Sequence, residues 1–240
     1  MINLNCIKAD VKQIIREPIL IIFVFIPVYI FVLIKLGILY LAPYLLHTTG
    51  FDLSNYHTYI LAASLIMIPN MLGTVFGFLM LDERDGHITE LMVITPIGYN
   101  GYIFNRLLLP MLGCFIYTFL GYIFLSITYV PTLQLCLLAF LLSIESLLIG
   151  ITLFNIADNK VKGLTLAKAL SLLALFALAD LVNEPVVSLV ASFFPFYWIT
   201  QVIQNPLWEA GSIFNSIMAI LIHVCWLLIY FKIINNRSTI

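Results

Sequence analysis

The chain has 240 residues, of which 62% are hydrophobic and 10% are charged, and its formal net charge is −1. Soluble domains carry about 25% charged residues because water must solvate their surface, so this composition excludes a soluble protein. The nearly neutral charge argues against a nucleic-acid partner. No polar segment is long enough to form a separate soluble domain. We therefore expect residues 1–240 to form a single all-α membrane domain.

The N-terminal segment, residues 3–17, has the pattern of an amphipathic helix. Apolar side chains recur on one face at Ile7, Val11, Ile14 and Ile15. The rest of the helix surface is assigned to polar and charged residues, which are Lys8, Asp10, Lys12, Gln13, Arg16 and Glu17. Such a helix is typical of the headgroup region of a membrane. Pro18 is expected to end it and to begin the next helix.

Six apolar runs are long enough to cross a bilayer, which requires about 20 residues. We expect membrane spans at residues 19–41, 58–81, 102–129, 133–154, 164–182 and 212–232. Within the second of these spans, the spacing of Gly73 and Gly77 favours close packing of two helices. Residues 183–211 contain three prolines and an apolar run too short to span. This segment predicts a re-entrant helix pair at the outer face.

The distribution of basic residues predicts the orientation of the chain. In a six-span arrangement, all but one of the eleven lysines and arginines fall on the same side of the membrane. Because cytoplasmic loops carry the excess of basic residues, both termini are expected in the cytoplasm. Lys35 falls on the other side, near the end of the first span. It fits either a side chain that reaches the membrane surface or a functional lysine within the membrane.

A charged loop, residues 82–101, separates the second and third spans and lies on the cytoplasmic side in this arrangement. Its centre predicts a short amphipathic helix with Glu90 beside an apolar face. The residues of that face are Ile88, Leu91, Met92 and Thr95. Pro96 is expected to end this helix. Such a helix either rests on the lipid headgroups or docks into a groove on a cytoplasmic protein.

Two ionisable residues lie where a membrane tolerates them poorly. Glu145 is near the middle of the fourth span, and His223 is within the sixth. Glu145 fits either a group on a substrate or proton path or a hydrogen-bonded packing residue, and His223 fits a hydrogen-bonded core residue. Asp180 fits an interfacial position. The spacing of these three residues does not support an intramembrane enzyme, so we expect no catalytic residue.

Several chemical motifs are missing from the sequence. It contains no G-x-x-x-x-G-K-[ST] phosphate loop, so ATP binding by that mechanism is not expected of this chain. The cysteines, Cys6, Cys114, Cys136 and Cys225, lack the spacing of a metal site. We therefore expect no metal and no directly bound cofactor.

The charged loop also carries a family resemblance. Residues 83–96, from Glu-Arg to Thr-Pro, resemble the coupling loop of type-2 ATP-binding-cassette (ABC) exporter permeases, with His87-Ile88 in place of the usual Thr-Leu. The segment that ends with Arg16-Glu17-Pro18 is similar to the family's amphipathic connecting helix. The aromatic, proline-rich segment before the sixth span is similar to its outer re-entrant helices. The chain is most similar to the multidrug, fluoroquinolone-type export permeases.

The resemblance implies a function and partners. It implies a permease subunit in a prokaryotic plasma membrane that exports hydrophobic or amphipathic compounds, such as drugs, lipids or peptides. A separate ABC ATPase subunit would bind ATP and Mg²⁺, and a second permease subunit, the same or homologous, would complete the transporter. Substrate would pass between the permease subunits along the second and fifth spans. The expected residues of ATPase coupling are Glu83, Arg84, Gly86, Thr89, Glu90, Leu91, Thr95 and Pro96. The alternative hypothesis is a proton-coupled secondary transporter that uses Glu145.

Overall fold

The computed structural model describes residues 4–93, 98–205 and 210–237, and within these ranges the regular structure is entirely helical. Three short segments of other helix types adjoin the α-helices. They are a π-helical segment at Gly37–Leu41 and 3₁₀-helical segments at Leu53–Tyr56 and Ala174–Val182. The α-helices are α1 (Leu4–Arg16), α2 (Pro18–Leu36), α3 (Ala42–Thr49), α4 (His57–Asp85), α5 (Ile88–Val93), α6 (Gly98–Leu125), α7 (Thr132–Ile156), α8 (Lys160–Leu173), α9 (Pro185–Ala191), α10 (Pro195–Gln204) and α11 (Ala210–Arg237).

The predicted fold class is confirmed by the helical stretches that could cross a membrane. Six stretches are long and apolar enough: Pro18–Thr49, Leu53–Asp85, Gly101–Leu125, Thr132–Ile156, Lys160–Val182 and Gly211–Tyr230. In addition, α9 and α10 meet at a bend of 113°, which is the geometry of a re-entrant pair. The first stretch is longer than the first predicted span, because the chain stays helical to Thr49 and ends at Gly50, whose φ is +71°.

The core of the bundle is the contact between α4 and α7. In the most apolar stretch of each helix, 89% of the residues are buried for α4 and 83% for α7. The corresponding fraction is 17% in each of the first, fifth and sixth candidate spans, which therefore lie at the outside of the bundle. Gly73 and Gly77 permit this approach: a Cβ atom on Gly73 would lie 2.6 Å from the carbonyl oxygen of Ser146. A Cβ atom on Gly77 would lie 2.8 Å from Leu153 Cβ. The outer helices therefore present apolar side chains outward, as lipid or another membrane subunit requires.

The two ends of the bundle differ in chemistry. The charged end, as named from here on, comprises α1, α5, the C-terminal turns of α4 and α7 and the first turns of α6 and α8. At the opposite end, the α9–α10 pair is held by polar contacts: Trp198 Nε1 donates to Ser192 O at 2.7 Å, and Thr200 Oγ1 donates to Ala177 O at 2.7 Å. Lys35 binds the end of a neighbouring helix: its amine donates to Leu125 O at 2.7 Å and caps the end of α6.

Candidate functional site

The connection between α4 and α5 is a tight turn at the charged end. The amide of Gly86 donates to Asp82 O at 2.9 Å, and the amide of His87 donates to Arg84 O at 3.0 Å, so two terminal carbonyls of α4 are satisfied. His87 takes the left-handed conformation, with φ +57°. Histidine is among the residues that adopt this conformation more readily than most. The turn reverses the chain immediately and places α5 against α4 and α6.

The surface of α5 is apolar on its outer side. Leu91 is 61% exposed and Ile88 is 39% exposed, and both lie beside the exposed carboxylate of Glu90. Thr89 is buried against the bundle. Side chains from position 92 to 97 lie outside the described residues, and these include Thr95 and Pro96 of the predicted coupling set. Two apolar side chains next to a carboxylate thus face away from the protein on one short helix.

His87 and Glu90 form an exposed pair on the same surface. Their Nδ1 and Oε1 atoms are 3.0 Å apart, and the hydrogen bond and charge of Glu90 raise the pKa of His87 above its usual value. The pairing therefore favours the protonated ring. Its stabilisation is complete below the unfolded-state pKa and is lost as pH rises through the folded-state pKa.

We expect Glu90→Gln to lower the pH midpoint of His87, because the variant removes the carboxylate that stabilises the imidazolium. The measurement is the titration of the His87 ring resonances by NMR in a detergent or nanodisc sample. Glu184→Gln, which removes a distant exposed carboxylate from the start of α9, serves as the control and should leave the midpoint unchanged. An equal midpoint in wild type and Glu90→Gln would show that the pair does not form.

Behind α5 lies a buried ion network that joins three helices. Arg106 on α6 donates from Nε to Glu83 Oε2 at 2.9 Å and also pairs with Glu83 Oε1 and with Asp10. Tyr102 Oη donates to the same Glu83 Oε2 at 2.6 Å. Asp10, Glu83 and Arg106 are each at most 7% exposed. Because Asp10 belongs to α1 and Glu83 to α4, Arg106 binds α1 and α4 to α6.

The position of Asp10 corrects the sequence interpretation of α1. Asp10 was assigned to the polar outer surface of the helix, but it is fully buried and paired with Arg106. Lys8 and Lys12 are exposed as expected. Asp10 precedes Ile14 by four residues, and Ile14 packs against a buried apolar cluster, so the two lie on the face of α1 that is turned toward the protein. Val11 and Ile15 of the predicted apolar face are exposed instead. A charge at such a position can be buried when a partner charge meets it there.

A second set of contacts ties α4 to the end of α7. Arg84 donates to Phe154 O at 2.8 Å and to Ala157 O at 2.6 Å, and its guanidinium lies over the Phe154 ring. These are carbonyls at the C-terminal end of α7, where a cation is favourable. Nearby, Lys160 is 2.6 Å from Asp82 Oδ2, which links α8 to α4.

The two polar residues predicted for the membrane core lie together. Glu145 on α7 and His223 on α11 are both buried, and Oε1 of Glu145 is 3.3 Å from Nε2 of His223. The other ring nitrogen of His223, Nδ1, is 2.7 Å from Ala219 O. Because a carbonyl oxygen only accepts, the proton of this contact resides on Nδ1. The pair lies within the apolar helices, away from the charged end.

Comparison of the sequence with protein families identifies the family of this chain. The model of the family described as Fluoroquinolones export permease protein Rv2686c-like matches residues 10–231. The chain belongs to this family. The resemblance to type-2 ABC exporter permeases of the fluoroquinolone type is thereby confirmed. No curated protein and no solved structure matches the chain.

In this export permease, the predicted coupling residues that the structure describes divide into two groups. Gly86, Glu90 and Leu91 are exposed in the turn and on α5. Thr89 is buried, Glu83 pairs with Arg106, and Arg84 binds the end of α7. The first group is available to a partner, whereas the second connects α5 and α4 to the rest of the bundle.

Sequence reasoning missed the role of Arg106 and Tyr102 in the permease. The sequence alone assigns no role to either residue, although each binds Glu83. A signal was present: Tyr102 and Arg106 are four residues apart and share one helix face. Their partners lie 19 to 96 positions away in the chain. Local periodicity describes only neighbouring turns of one helix, so it could not predict which residues Tyr102 and Arg106 bind.

Proposed function

We propose that this chain is the membrane permease subunit of an ATP-driven exporter and that α5 is the docking element for a separate ABC ATPase subunit. The observation that carries the proposal is the exposure of Ile88 and Leu91 beside Glu90, on a helix backed by a buried ion network. An apolar helix face with an adjacent charge suits a groove on a protein partner. Family membership supports export as the activity.

The contacts behind α5 suggest how movement of the ATPase reaches the membrane. A push on α5 acts on α4 through the Gly86 turn, whose two hydrogen bonds keep the connection short. Glu83 then acts through Arg106 on α1 and α6, and Arg84 acts on the end of α7. In this proposal Glu83 and Arg84 transmit the force, while Glu90 and Leu91 form the contact.

The proposal includes the remaining partners and the orientation. ATP and Mg²⁺ bind to the ATPase subunit, in agreement with the missing phosphate loop of this sequence. The outward-facing apolar side chains of α2, α8 and α11 give room for lipid and for a second permease subunit. The charged end and both termini face the cytoplasm of a prokaryotic cell, as the basic residues favour. The substrates are hydrophobic or amphipathic compounds, such as drugs, lipids or peptides.

The test is Leu91→Arg, with Glu90→Lys as a second variant, in proteoliposomes that contain the permease and its ATPase. A mismatched charge at a docking face is expected to reduce ATP-dependent export by about tenfold or more, because central interface residues carry most of the binding energy. The thermal midpoint of the permease should stay near the wild-type value, because both side chains are exposed and water screens the His87–Glu90 pair that Glu90→Lys removes. Export and ATP hydrolysis are measured in the same vesicles.

The control for this test is Val161→Arg, which places the same charge on an exposed apolar residue of α8 at the charged end. It should leave export unchanged. Full export in Leu91→Arg and Glu90→Lys would contradict docking at α5.

A second candidate function is proton-coupled transport, favoured by the 3.3 Å approach of Glu145 and His223. Intramembrane carboxylates and histidines occur in proton relays. Transport that needs no ATP, stops when the proton gradient is dissipated and loses its pH dependence in Glu145→Gln would favour this candidate. Transport that follows ATP hydrolysis and is insensitive to the gradient would exclude it.

A further inference from the structure

A deep apolar groove lies between α1, α2 and α6. Its larger part is a cavity of about 340 Å³. Leu72 and Phe76 of α4 form its floor and are 4% and 3% exposed, so the groove reaches the buried core of the bundle. Val11 and Ile15 of α1 lie at its mouth and are 42% and 65% exposed. The lining side chains are apolar except for Tyr117, so the cavity suits a hydrocarbon ligand.

The groove has the length of an acyl chain. A second cavity of about 300 Å³ continues it between α2 and α6, and Tyr117 lines both cavities. On α2 the two linings extend from Ile21 to Val32, which is about 16 Å of helix. One leaflet of a bilayer contributes about 15 Å of hydrocarbon, half of the core thickness. An apolar cavity of about 150 Å³ already binds benzene, so this groove has room for much of a lipid chain.

A row of basic residues borders the mouth of the groove on α1. Lys8, Lys12 and Arg16 follow one another at intervals of four residues, so they lie along one flank of the helix. Val11 and Ile15 form the neighbouring row, and each follows one of the lysines by three residues. All three basic side chains are exposed. Positive charge therefore lies directly beside the apolar side chains that open into the groove.

The basic row has no acidic partner among the residues that the structure describes. The two acids nearest to it in sequence bind elsewhere: Asp10 pairs with Arg106, and Glu17 pairs with Lys160. The row also lies at the edge of the membrane, because the first candidate span begins at Pro18. Basic residues next to a span attract anionic lipid headgroups.

We propose that the groove binds one anionic phospholipid, with its phosphate group at Lys12 and Arg16 and one acyl chain along the groove. A net negative headgroup matches the unpaired basic row, whereas the amine of a zwitterionic lipid brings a further positive charge to it. The second acyl chain lies in the surrounding bilayer. The lipid is a fixed component that joins α1 to α2 and α6, so the proposal goes beyond the export function and does not depend on it.

The test measures lipid binding to the purified full-length permease by native mass spectrometry, without the ATPase and without ATP. The probes are palmitoyl-oleoyl phosphatidylglycerol and palmitoyl-oleoyl phosphatidylcholine, which share their acyl chains and differ in the headgroup. Each basic residue at a membrane surface contributes about fivefold in affinity for an anionic lipid. The first lipid bound is therefore expected to prefer phosphatidylglycerol by about tenfold or more. Displacement of this lipid by inorganic phosphate would show that the row binds a free anion, which would overturn the proposal.

Lys12→Gln combined with Arg16→Gln is expected to remove most of the preference while leaving the affinity for phosphatidylcholine unchanged. Lys162→Gln combined with Lys168→Gln is the matched control, because it removes the same charge from two exposed lysines of α8. This control should keep the full preference. Equal affinities of the wild type for the two lipids would overturn the proposal, and so would an undiminished preference in the α1 variant. Loss of the preference in the control as well would reject the row on α1 as the headgroup site.

A second pair of variants tests the groove. Leu109→Trp places a larger ring in the main cavity and is expected to weaken phosphatidylglycerol binding by about tenfold or more, because each methylene displaced from an apolar site costs about fourfold. Leu112→Trp makes the same exchange at an exposed residue of α6 that lines neither cavity, and it should bind the lipid as wild type does. Undiminished binding in Leu109→Trp would contradict the proposal, as would lipid binding by monomers alone, since a second copy would then fill the groove. Should Leu109→Trp fail to fold, the lipid preference of the wild type and of the glutamine variants decides.

Discussion

Replacement of Arg106 by methionine is expected to lower the free energy of unfolding by about 3–5 kcal/mol. The variant keeps an unbranched side chain but removes the guanidinium that pairs with both Asp10 and Glu83. Both carboxylates are almost completely buried, so water cannot replace the lost charge. The measurement is unfolding in mixed micelles, with helicity followed against denaturant concentration.

Two further variants separate the ion network from general damage. Arg16→Met removes an exposed arginine from the end of α1 and should change stability by less than about 0.5 kcal/mol. Adding Glu83→Gln to Arg106→Met removes one of the stranded carboxylates and should recover part of the loss. Unfolding of Arg106→Met within about 1 kcal/mol of wild type would contradict the central role of Arg106.

Gly73→Ala and Gly37→Ala are expected to change stability in opposite directions. A Cβ atom on Gly73 would be 2.6 Å from Ser146 O and 2.9 Å from Ile149 Cβ, so α4 and α7 must separate to admit it. Such overpacking costs about 1–3 kcal/mol. A Cβ atom on Gly37 would meet nothing within 4 Å, and its φ of −59° suits alanine. Gly37→Ala should therefore stabilise by about 0.4–1 kcal/mol, because it restricts the unfolded chain.

The same unfolding assay compares the two glycine variants. Both exchanges add one methyl group to a helical glycine, so they share their effect on helix propensity and differ in the space around the new atom. A stability of Gly73→Ala equal to or above that of Gly37→Ala would show that α4 and α7 do not approach as closely as the structure has them.

The sequence could predict the features that depend on apolar length and local spacing. Six runs of adequate length predicted the spans, and the three prolines predicted the bent pair of α9 and α10. Contacts between distant residues could not be predicted. Glu145 and His223 were each noticed as costly in a membrane, but their approach depends on the packing of α11 against α7. Asp10 was placed on the outer surface because its partner, Arg106, follows 96 residues later.

The place of the glycines on α4 limits how this helix can move. Because Leu72 and Thr74 flank Gly73 in sequence, rotation of α4 by one residue would drive a larger side chain into Ser146 O. Arg84 fixes the same two helices at the charged end. We therefore expect α4 and α7 to tilt together as one rigid body. With 29 residues at 1.5 Å each, α4 is about 44 Å long, so when the pair tilts about its middle, a displacement at the charged end is matched by an opposite displacement at the other end.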